Sequence, residues 1–435
     1  MRTQGLNLEQ APPLSIPVSF FLTAPVSAAT AGLLLAAIGP EAITSSWLPI
    51  TLTLTHLGTL GFLSMVMMGA LYQMTPVVAG SPVRRVRAAH AVHAGFASGV
   101  AGLCWGMATG APSVVFVAIA VIFFSLLFFI GPVGLALLRA PTRNETVVGM
   151  TGALAALFLT AVAGLWMAHG HSGMHFPGPR DLWIQVHLCI GLLGWVGGLI
   201  SAVSWQVLPM FYLAGPIDRR WQRSTLGLTA LGVLAPTLIL GLDYAGQLTA
   251  VQTQVKGAAA LAALPAVVAI WGLHPLLALR SLAQRRRRRV DGSLLFWRAG
   301  LAMAPLTGLC AVAAYLWTDP HWGLLMGWLA LWGWAGMIVH GMLTRIVPFL
   351  VWFHRFAPLV GRIAVPSVKG LLPDRWTRIS FVLHLSTVVA GAAAILSRNA
   401  ILTRLTGLLL LATAVSLGAA LIHVLLQRPT PPEKS

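Results

Sequence analysis

Twelve long apolar runs constrain the fold of this chain more than any other feature. A helix of roughly 20 apolar residues spans the bilayer core, whereas membrane β-strands are about ten residues long and alternate. Hydrophobic residues make up 57% of the chain and charged residues 9%, against about 25% charge in soluble domains. We therefore predict an all-α, polytopic membrane protein with a single transmembrane domain over 1–435. The predicted spans are 17–38, 47–77, 88–108, 113–138, 147–168, 183–213, 225–243, 257–280, 296–318, 322–351, 378–396 and 400–425.

Basic residues collect in every second loop. Positively charged loops stay on the cytoplasmic side, so both termini are predicted to be cytoplasmic in a bacterial-type plasma membrane. This topology accounts for the net charge of +18 without a nucleic-acid partner. The basic loops carry Arg84, Arg85, Arg87, Arg139, Arg143, Arg219, Arg220, Arg223, the run 285–289, Arg355, Arg362, Lys369, Arg375 and Arg378, and the opposite loops carry Arg180, Lys256 and Arg398.

Three segments align without gaps and indicate an internal repeat. Each has glycine in its sixth column, an aromatic residue in its seventh, a small residue in its fourteenth and proline in its last. The matched prolines are four spans apart, which predicts a pseudo-threefold arrangement of three groups of four helices. Each proline is expected to loosen or end its helix near the inner face. The segments are 56–76, 189–209 and 328–348.

His56 is the most informative single residue. It lies in the second span, roughly 13 Å inside Trp47 at the helical rise per residue, beside a strip rich in threonine and glycine. A histidine at that depth is expected either to bond a backbone carbonyl or to bind a metal. Haem suits the setting, because it is flat and apolar and its iron binds neutral imidazole.

Two further histidine groups are candidates for metal chemistry. The outer loop carries His169, His171 and His175 with Met174, a spacing that suits copper or zinc, although a solvated loop with no ligand is the alternative. His187 and His321 lie near the same surface. On the inner side, His340 and His384 fall at comparable depth on neighbouring spans, which allows a haem held between two imidazoles.

The repeat and His56 give the chain a resemblance to the catalytic subunit of haem–copper oxidases. The segment 56–76, HLGTLGFLSMVMMGALYQMTP, matches best, and the likeness is greatest to the nitric oxide reductase branch. A related resemblance is to the NnrS-type haem- and copper-containing membrane proteins. The order of the spans resembles the family over most of the chain, whereas the sequence motifs resemble it over about sixty residues.

What the resemblance implies can be stated residue by residue. It implies a b-type haem bound by His56 on the outer half of the second span, and a copper ligand, His187, on the sixth. On the tenth span the two columns that hold histidines in the oxidases are Met326 and Trp328, so Met326 is a candidate axial ligand and His321 an outer candidate. The seventh span has no histidine pair for copper, so no classical dinuclear centre is expected.

Three alternative functions follow from these observations. The first is a haem-binding redox protein of the oxidoreductase class that exchanges electrons with a membrane quinol or periplasmic donor, or that binds nitric oxide. The second is a copper-handling protein or transporter that uses the outer loop, although the shortage of acidic residues within the spans disfavours a carrier. The third is a non-catalytic subunit whose arginine clusters bind a partner subunit or anionic lipid.

Overall fold

The computed structural model describes residues 10–168, 170, 178–248, 250–286, 289–317 and 319–429, and over these residues the chain is helical without strands. Within these ranges twelve helices are long and apolar enough to cross a membrane, which confirms the predicted all-α polytopic class. They are α1 Ser15–Ile43, α2 Pro49–Val78, α3 Val86–Thr109, α4 Pro112–Leu138, α5 Glu145–Ala168, α6 Arg180–Tyr212, α7 Arg219–Tyr244, α8 Gln252–Ala283, α9 Gly292–Leu316, α10 Pro320–Leu359, α11 Asp374–Ser397 and α12 Ala400–Leu426.

The helices match the predicted spans closely, and their ends differ for a physical reason. The helix α7 begins at Arg219 rather than at residue 225, and α10 runs to Leu359 rather than to 351. Hydropathy locates the part of a helix that lies in hydrocarbon. The backbone can continue its hydrogen bonding into the headgroup region, where exposed basic side chains such as Arg219 remain solvated.

The described residues form two compact units. Unit one is built mainly from Ala70–Arg287 with Ala304–Ala313, and unit two from Pro13–Gly69, Arg288–Met303 and Ala314–Ser435. The helices α2 and α9 contribute residues to both. Every histidine pair discussed below lies within one unit.

In unit two, α1 and α12 approach each other through glycines. A Cβ atom at Gly32 would lie 2.6 Å from the backbone nitrogen of Leu411 and 2.8 Å from the carbonyl oxygen of Gly407. Helices in lipid gain little from the hydrophobic effect, and they associate through close packing that small residues allow. The two backbones are therefore in direct contact at this crossing.

In unit one, glycines likewise allow α3 and α4 to pack closely. A Cβ atom at Gly99 would lie 2.7 Å from Ile122 Cγ1, and one at Gly106 would lie 2.8 Å from Val115 Cγ2. Larger side chains on α4 thus fill the space that glycine leaves on α3. The pairing explains how α3, whose sequence is less apolar than that of α4, packs within the bilayer.

The three repeat segments share a feature that the sequence did not predict. Each contains a π-helical stretch, at Leu57–Ser64, Cys189–Gly197 and Leu329–Gly336, and these stretches occupy the same columns of the alignment to within one position. Further π-helical turns occur at Val268–Leu273 and Trp352–Phe356. Such stretches widen a helix locally and are frequent at functional sites.

The repeat prolines lie near helix ends, but each helix continues past them. Regular α-helix extends from Pro76 to Val78, from Pro209 to Tyr212 and from Pro348 to Val351. The last case passes directly into the π-helical turn Trp352–Phe356. The prolines therefore mark the last turns of regular helix and do not interrupt the spans.

Candidate functional site

The imidazole of His56 is tied to its own helix. It is half-buried at the end of the α-helical part of α2, directly before the π-helical stretch Leu57–Ser64. Its Nδ1 lies 2.7 Å from the carbonyl oxygen of Leu52. A carbonyl can only accept a hydrogen bond, so Nδ1 carries the proton and Nε2 is the basic nitrogen of the neutral ring.

Contacts between α2 and α10 give the depth of His56 relative to the tenth helix. Leu331 fills the space beside Gly58, and the rings of Phe62 and Trp332 are 5.6 Å apart. The two helices are second and tenth in the order of crossings, so they run in the same direction. Counting back by about 1.5 Å per residue, the contact of Gly58 with Leu331 puts residue 329 level with His56, and the contact of Phe62 with Trp332 puts Met326 level with it. Trp328 and Met326 both lie within about one helical turn of that depth.

Of these two residues, Trp328 is not a candidate ligand. Indole has no acceptor nitrogen, and the Nε1–H of Trp328 donates to the carbonyl oxygen of Val388 at 3.0 Å. Its ring occupies the space that Gly391 leaves on α11. By the same counts Met326 lies between the depth of His56 and about 5 Å nearer the start of α10, and His321 lies about 8–12 Å nearer the start of α10.

His321 is held at the start of α10 by Asp319. The carboxylate accepts the His321 backbone N–H at 3.0 Å and also contacts Nδ1 of its ring. The guanidinium of Arg398 lies 3.4 Å from the other carboxylate oxygen. The hydrogen bonds from His321 lower the pKa of the Asp319 carboxyl, with the charge of Arg398 acting in the same direction.

On α6, His187 is half-buried and its ring lies against α5. A Cβ atom at Gly164 would be 3.3 Å from its Cε1. Cys189, which stands in the repeat column of His56, donates its Sγ–H to the carbonyl oxygen of Gly232 on α7 at 3.2 Å. The Cys189 thiol therefore links two helices of unit one. The role of His187 as a copper ligand stays a prediction.

The predicted metal loop, with His169, His171 and His175, lies outside the described residues. Within the described ranges, no group of three or more histidine, cysteine or acidic residues could together hold a metal ion. Copper at the outer loop therefore also stays a prediction.

His340 on α10 and His384 on α11 are almost completely buried, each 1% exposed. Their Nδ1 atoms are 3.0 Å apart, and Nε2 of His384 lies 3.0 Å from the carbonyl oxygen of Trp332. The sequence allowed a haem between these two rings. Direct contact between the rings leaves no room for one there, so the arrangement is an imidazole pair.

The protons of the pair can be assigned from its partners. The Trp332 carbonyl only accepts, so His384 Nε2 is protonated and its Nδ1 is an acceptor. His340 Nδ1–H must then donate to it, which leaves His340 Nε2 as an acceptor. Among the described residues no group lies within hydrogen-bond distance of that atom. An unsatisfied buried acceptor costs about 1–3 kcal/mol.

Unit one contains a further buried imidazole that the sequence analysis did not single out as a site. His274 Nε2 lies 3.0 Å from Ser204 Oγ, whose hydroxyl donates to the Ser201 carbonyl at 2.7 Å. His274 Nδ1 has no hydrogen-bond partner among the described residues. Ser204 and His274 are 70 positions apart, and no spacing in the sequence signals their contact.

Comparison with models of known protein families gives no match, and comparison with curated proteins gives no similar sequence. The function is therefore inferred from the residues and their geometry.

Proposed function

We propose that the chain is a membrane-integral, haem-binding redox protein in which His56 is an axial ligand of a b-type haem. The observation that carries the proposal is the hydrogen bond from His56 Nδ1 to the Leu52 carbonyl. It selects the tautomer whose Nε2 is basic, the form of imidazole that binds iron. Metal-bound histidines usually make such a bond through their other nitrogen.

The surroundings of His56 favour a haem with this imidazole as its one histidine ligand over a haem bound by two histidines. Trp328, at about the same depth, already donates to Val388, and His321 lies too far out. Met326 is the proposed second ligand, because it is within about one helical turn of the depth of His56 and thioether sulfur is an established haem ligand.

The chemistry proposed for this site is electron transfer. A bound haem would supply reversible one-electron reduction, and the apolar side chains of α2 and α10, including Phe62 and Trp332, would keep water from it. The proposed exchange partner is a membrane quinol or a periplasmic donor. Binding of nitric oxide is the alternative use of the same group.

The proposal is tested by comparing purified wild type with His56→Ala. Protein produced in cells with ample haem is expected to show a Soret band and a positive pyridine haemochrome assay. The His56→Ala variant is expected to lose the haem bound at this site, with an affinity at least about tenfold lower, because the axial bond to iron is removed.

A matched control is His354→Ala. His354 is also half-buried, and its Nδ1 bonds the carbonyl oxygen of Leu350 at 2.9 Å, so it repeats the local geometry of His56 near the inner end of α10. Its replacement is expected to leave the haem content unchanged. A colourless, folded wild type, or an unchanged spectrum in His56→Ala, would overturn the proposal.

A further inference from the structure

Three arginines at the start of α7 are used little by the rest of the fold. The side chains of Arg219, Arg220 and Arg223 are mostly exposed. Arg143 and Arg285, in other basic loops of unit one, each donate to a backbone carbonyl, but among the described residues these three contact carboxylates only. Cations are unfavourable at the first turn of a helix, and like charges four positions apart repel each other. Helix stability therefore does not explain why they are there.

A buried acid on the neighbouring helix orients two of these arginines. Glu145, at the start of α5, has a side chain 10% exposed, and its two carboxylate oxygens lie 2.9 Å from Arg223 Nε and 3.7 Å from Arg219 Nε. Because both contacts use Nε, the terminal nitrogens of the two guanidiniums have no partner within the described ranges. They leave two sets of N–H donors available to an anion.

Membrane topology alone does not account for this arrangement. Retention of a loop on the cytoplasmic side needs positive charge, and an acid that pairs with two arginines reduces that charge. Burying a carboxylate is also costly unless it is well paired. Glu145 therefore indicates that the directions of these guanidiniums matter as well as their charge.

The arginines continue a face of α7 that the rest of the chain leaves uncovered. Leu231, Leu234 and Leu238 are exposed and lie on one side of the helix, since they are three or four residues apart. Counting back in the same steps leads to Arg220. Leu231 is about 16 Å from Arg220 along the axis, close to the hydrocarbon thickness of one leaflet, about 15 Å. The guanidinium of Arg220 lies 5.5 Å from the ring centroid of Trp221, and tryptophan is enriched at the level of the lipid headgroups.

We propose that Arg219, Arg220 and Arg223 bind the phosphate of an anionic phospholipid, whose acyl chains lie along the exposed leucines of α7. Guanidinium groups match phosphate oxygens in geometry as well as in charge. An apolar face that leads directly to three cations fits a molecule with phosphate at one end and hydrocarbon at the other, and not a soluble anion. Glu145 is a positioning residue that acts through Arg219 and Arg223. The site is separate from the haem proposed at His56.

The experiment uses native mass spectrometry to measure how much phosphatidylglycerol and phosphatidylcholine the purified protein retains from an equal mixture of the two. Wild type is expected to prefer phosphatidylglycerol. The triple variant Arg219→Gln, Arg220→Gln, Arg223→Gln is expected to lower that preference at least about tenfold, because each basic side chain near an anionic lipid contributes about fivefold.

The matched control is the triple variant Arg84→Gln, Arg85→Gln, Arg87→Gln. It removes the same charge from another basic loop of unit one, where the three side chains are exposed and no described carboxylate pairs with them. The control is expected to retain the preference for phosphatidylglycerol.

Glu145→Gln separates a positioned site from diffuse electrostatic attraction. The substitution makes the cluster more positive, so diffuse attraction predicts a stronger preference for phosphatidylglycerol. A positioned site predicts a weaker preference, because the two Nε atoms lose their shared carboxylate. Arg220→Gln alone covers the case in which the triple variant fails to fold. It leaves the contacts of Glu145 intact, since Arg220 pairs with Asp218, and is expected to lower the preference about fivefold.

Four results would overturn the proposal. Wild type might retain the two lipids equally, the control triple variant might lose as much preference as the α7 variant, or Glu145→Gln might strengthen the preference. The fourth is a wild-type dimer that shows no lipid preference and dissociates in the α7 variant, which would assign this face to a second copy of the chain. Haem content does not enter the measurement, so failure here leaves the proposal for His56 unchanged.

Discussion

At the scale of single residues, the hydrogen bond made by one ring nitrogen sets the chemistry of the other nitrogen in three histidines of the spans. His56 donates to a carbonyl of its own helix, His384 to a carbonyl of the neighbouring helix, and His274 contacts a serine hydroxyl. Neutral imidazole has one donor and one acceptor, so each such bond determines which nitrogen remains basic. Ligand chemistry inside the bilayer follows from these local bonds.

Among the described residues, the most completely buried ion pair gives a prediction at the same scale. Arg345 and Asp291 are 2.7 Å apart with side chains 15% and 16% exposed. Arg345→Met is expected to destabilise the protein by about 2–4 kcal/mol at neutral pH, because it leaves a largely buried carboxylate without its main partner. Unfolding in detergent by chemical denaturant measures the change.

The pH dependence of that effect has a definite sign. Burial opposes ionisation of Asp291, but the charge and hydrogen bond of Arg345, together with hydrogen bonds from Ser293 and the Leu294 backbone, lower the pKa of the carboxyl. The pair therefore stabilises the fold above the ordinary carboxyl pKa of about 4, and this contribution is lost as the pH falls through the lowered value. The difference in the free energy of unfolding between wild type and Arg345→Met is therefore expected to become smaller at acidic pH.

The control for this prediction is Arg220→Met. Arg220 and Asp218 are 4.0 Å apart and mostly exposed, and exposed pairs contribute about 0–1 kcal/mol. A loss in the control as large as that in Arg345→Met would contradict the role assigned to burial.

At the scale of helices, close crossings depend on glycine where backbone atoms meet. Gly32→Ala is expected to lower the stability of unit two by about 1–3 kcal/mol, because the new methyl group would press on the backbone of α12. Intrinsic helix propensity acts in the opposite direction, since alanine is favoured over glycine by about 1 kcal/mol. Thermal unfolding in detergent measures the net change in stability that results from these two opposing effects.

Gly227 on α7 provides the comparison, because a Cβ atom there meets nothing within 4 Å. Gly227→Ala is expected to raise the melting temperature slightly. If both alanine variants shift stability in the same direction and by similar amounts, backbone contact between α1 and α12 is not the cause.

The π-helical stretches belong to the same scale. Their shared columns in 56–76, 189–209 and 328–348 add a structural likeness to the three repeat segments. Hydropathy could not reveal them, because α- and π-helices bury the same apolar residues and differ by one residue per hydrogen-bonded ring. The pseudo-threefold arrangement itself stays a prediction.

For the molecule as a whole, orientation in the membrane is the main prediction still to be tested. If the basic loops face the cytoplasm, alkaline phosphatase fused to the C-terminus should be inactive, because the enzyme needs disulfides that form only in an oxidising compartment. The same reporter inserted at Gly178, in the loop before α6, should be active. An active C-terminal fusion would place the C-terminus outside and reverse the topology.

The number and approximate bounds of the twelve spans could be predicted because they depend on apolar length, a property of each segment alone. His56 could be singled out for a similar reason, since a polar residue deep in one apolar run is visible without its neighbours. Depth along a single helix thus requires no knowledge of how helices pack.

Two contacts could not be predicted in this way: the pairing of His340 with His384, and the hydrogen bond from Trp328 to α11. They join residues 44 and 60 positions apart, through ring directions that periodicity does not encode. The sequence allowed a haem between the two histidines, whereas in the fold the two rings contact each other and His384 bonds the Trp332 carbonyl. Helix packing selects such partners, because a buried polar atom bonds whichever group the neighbouring helix brings within reach.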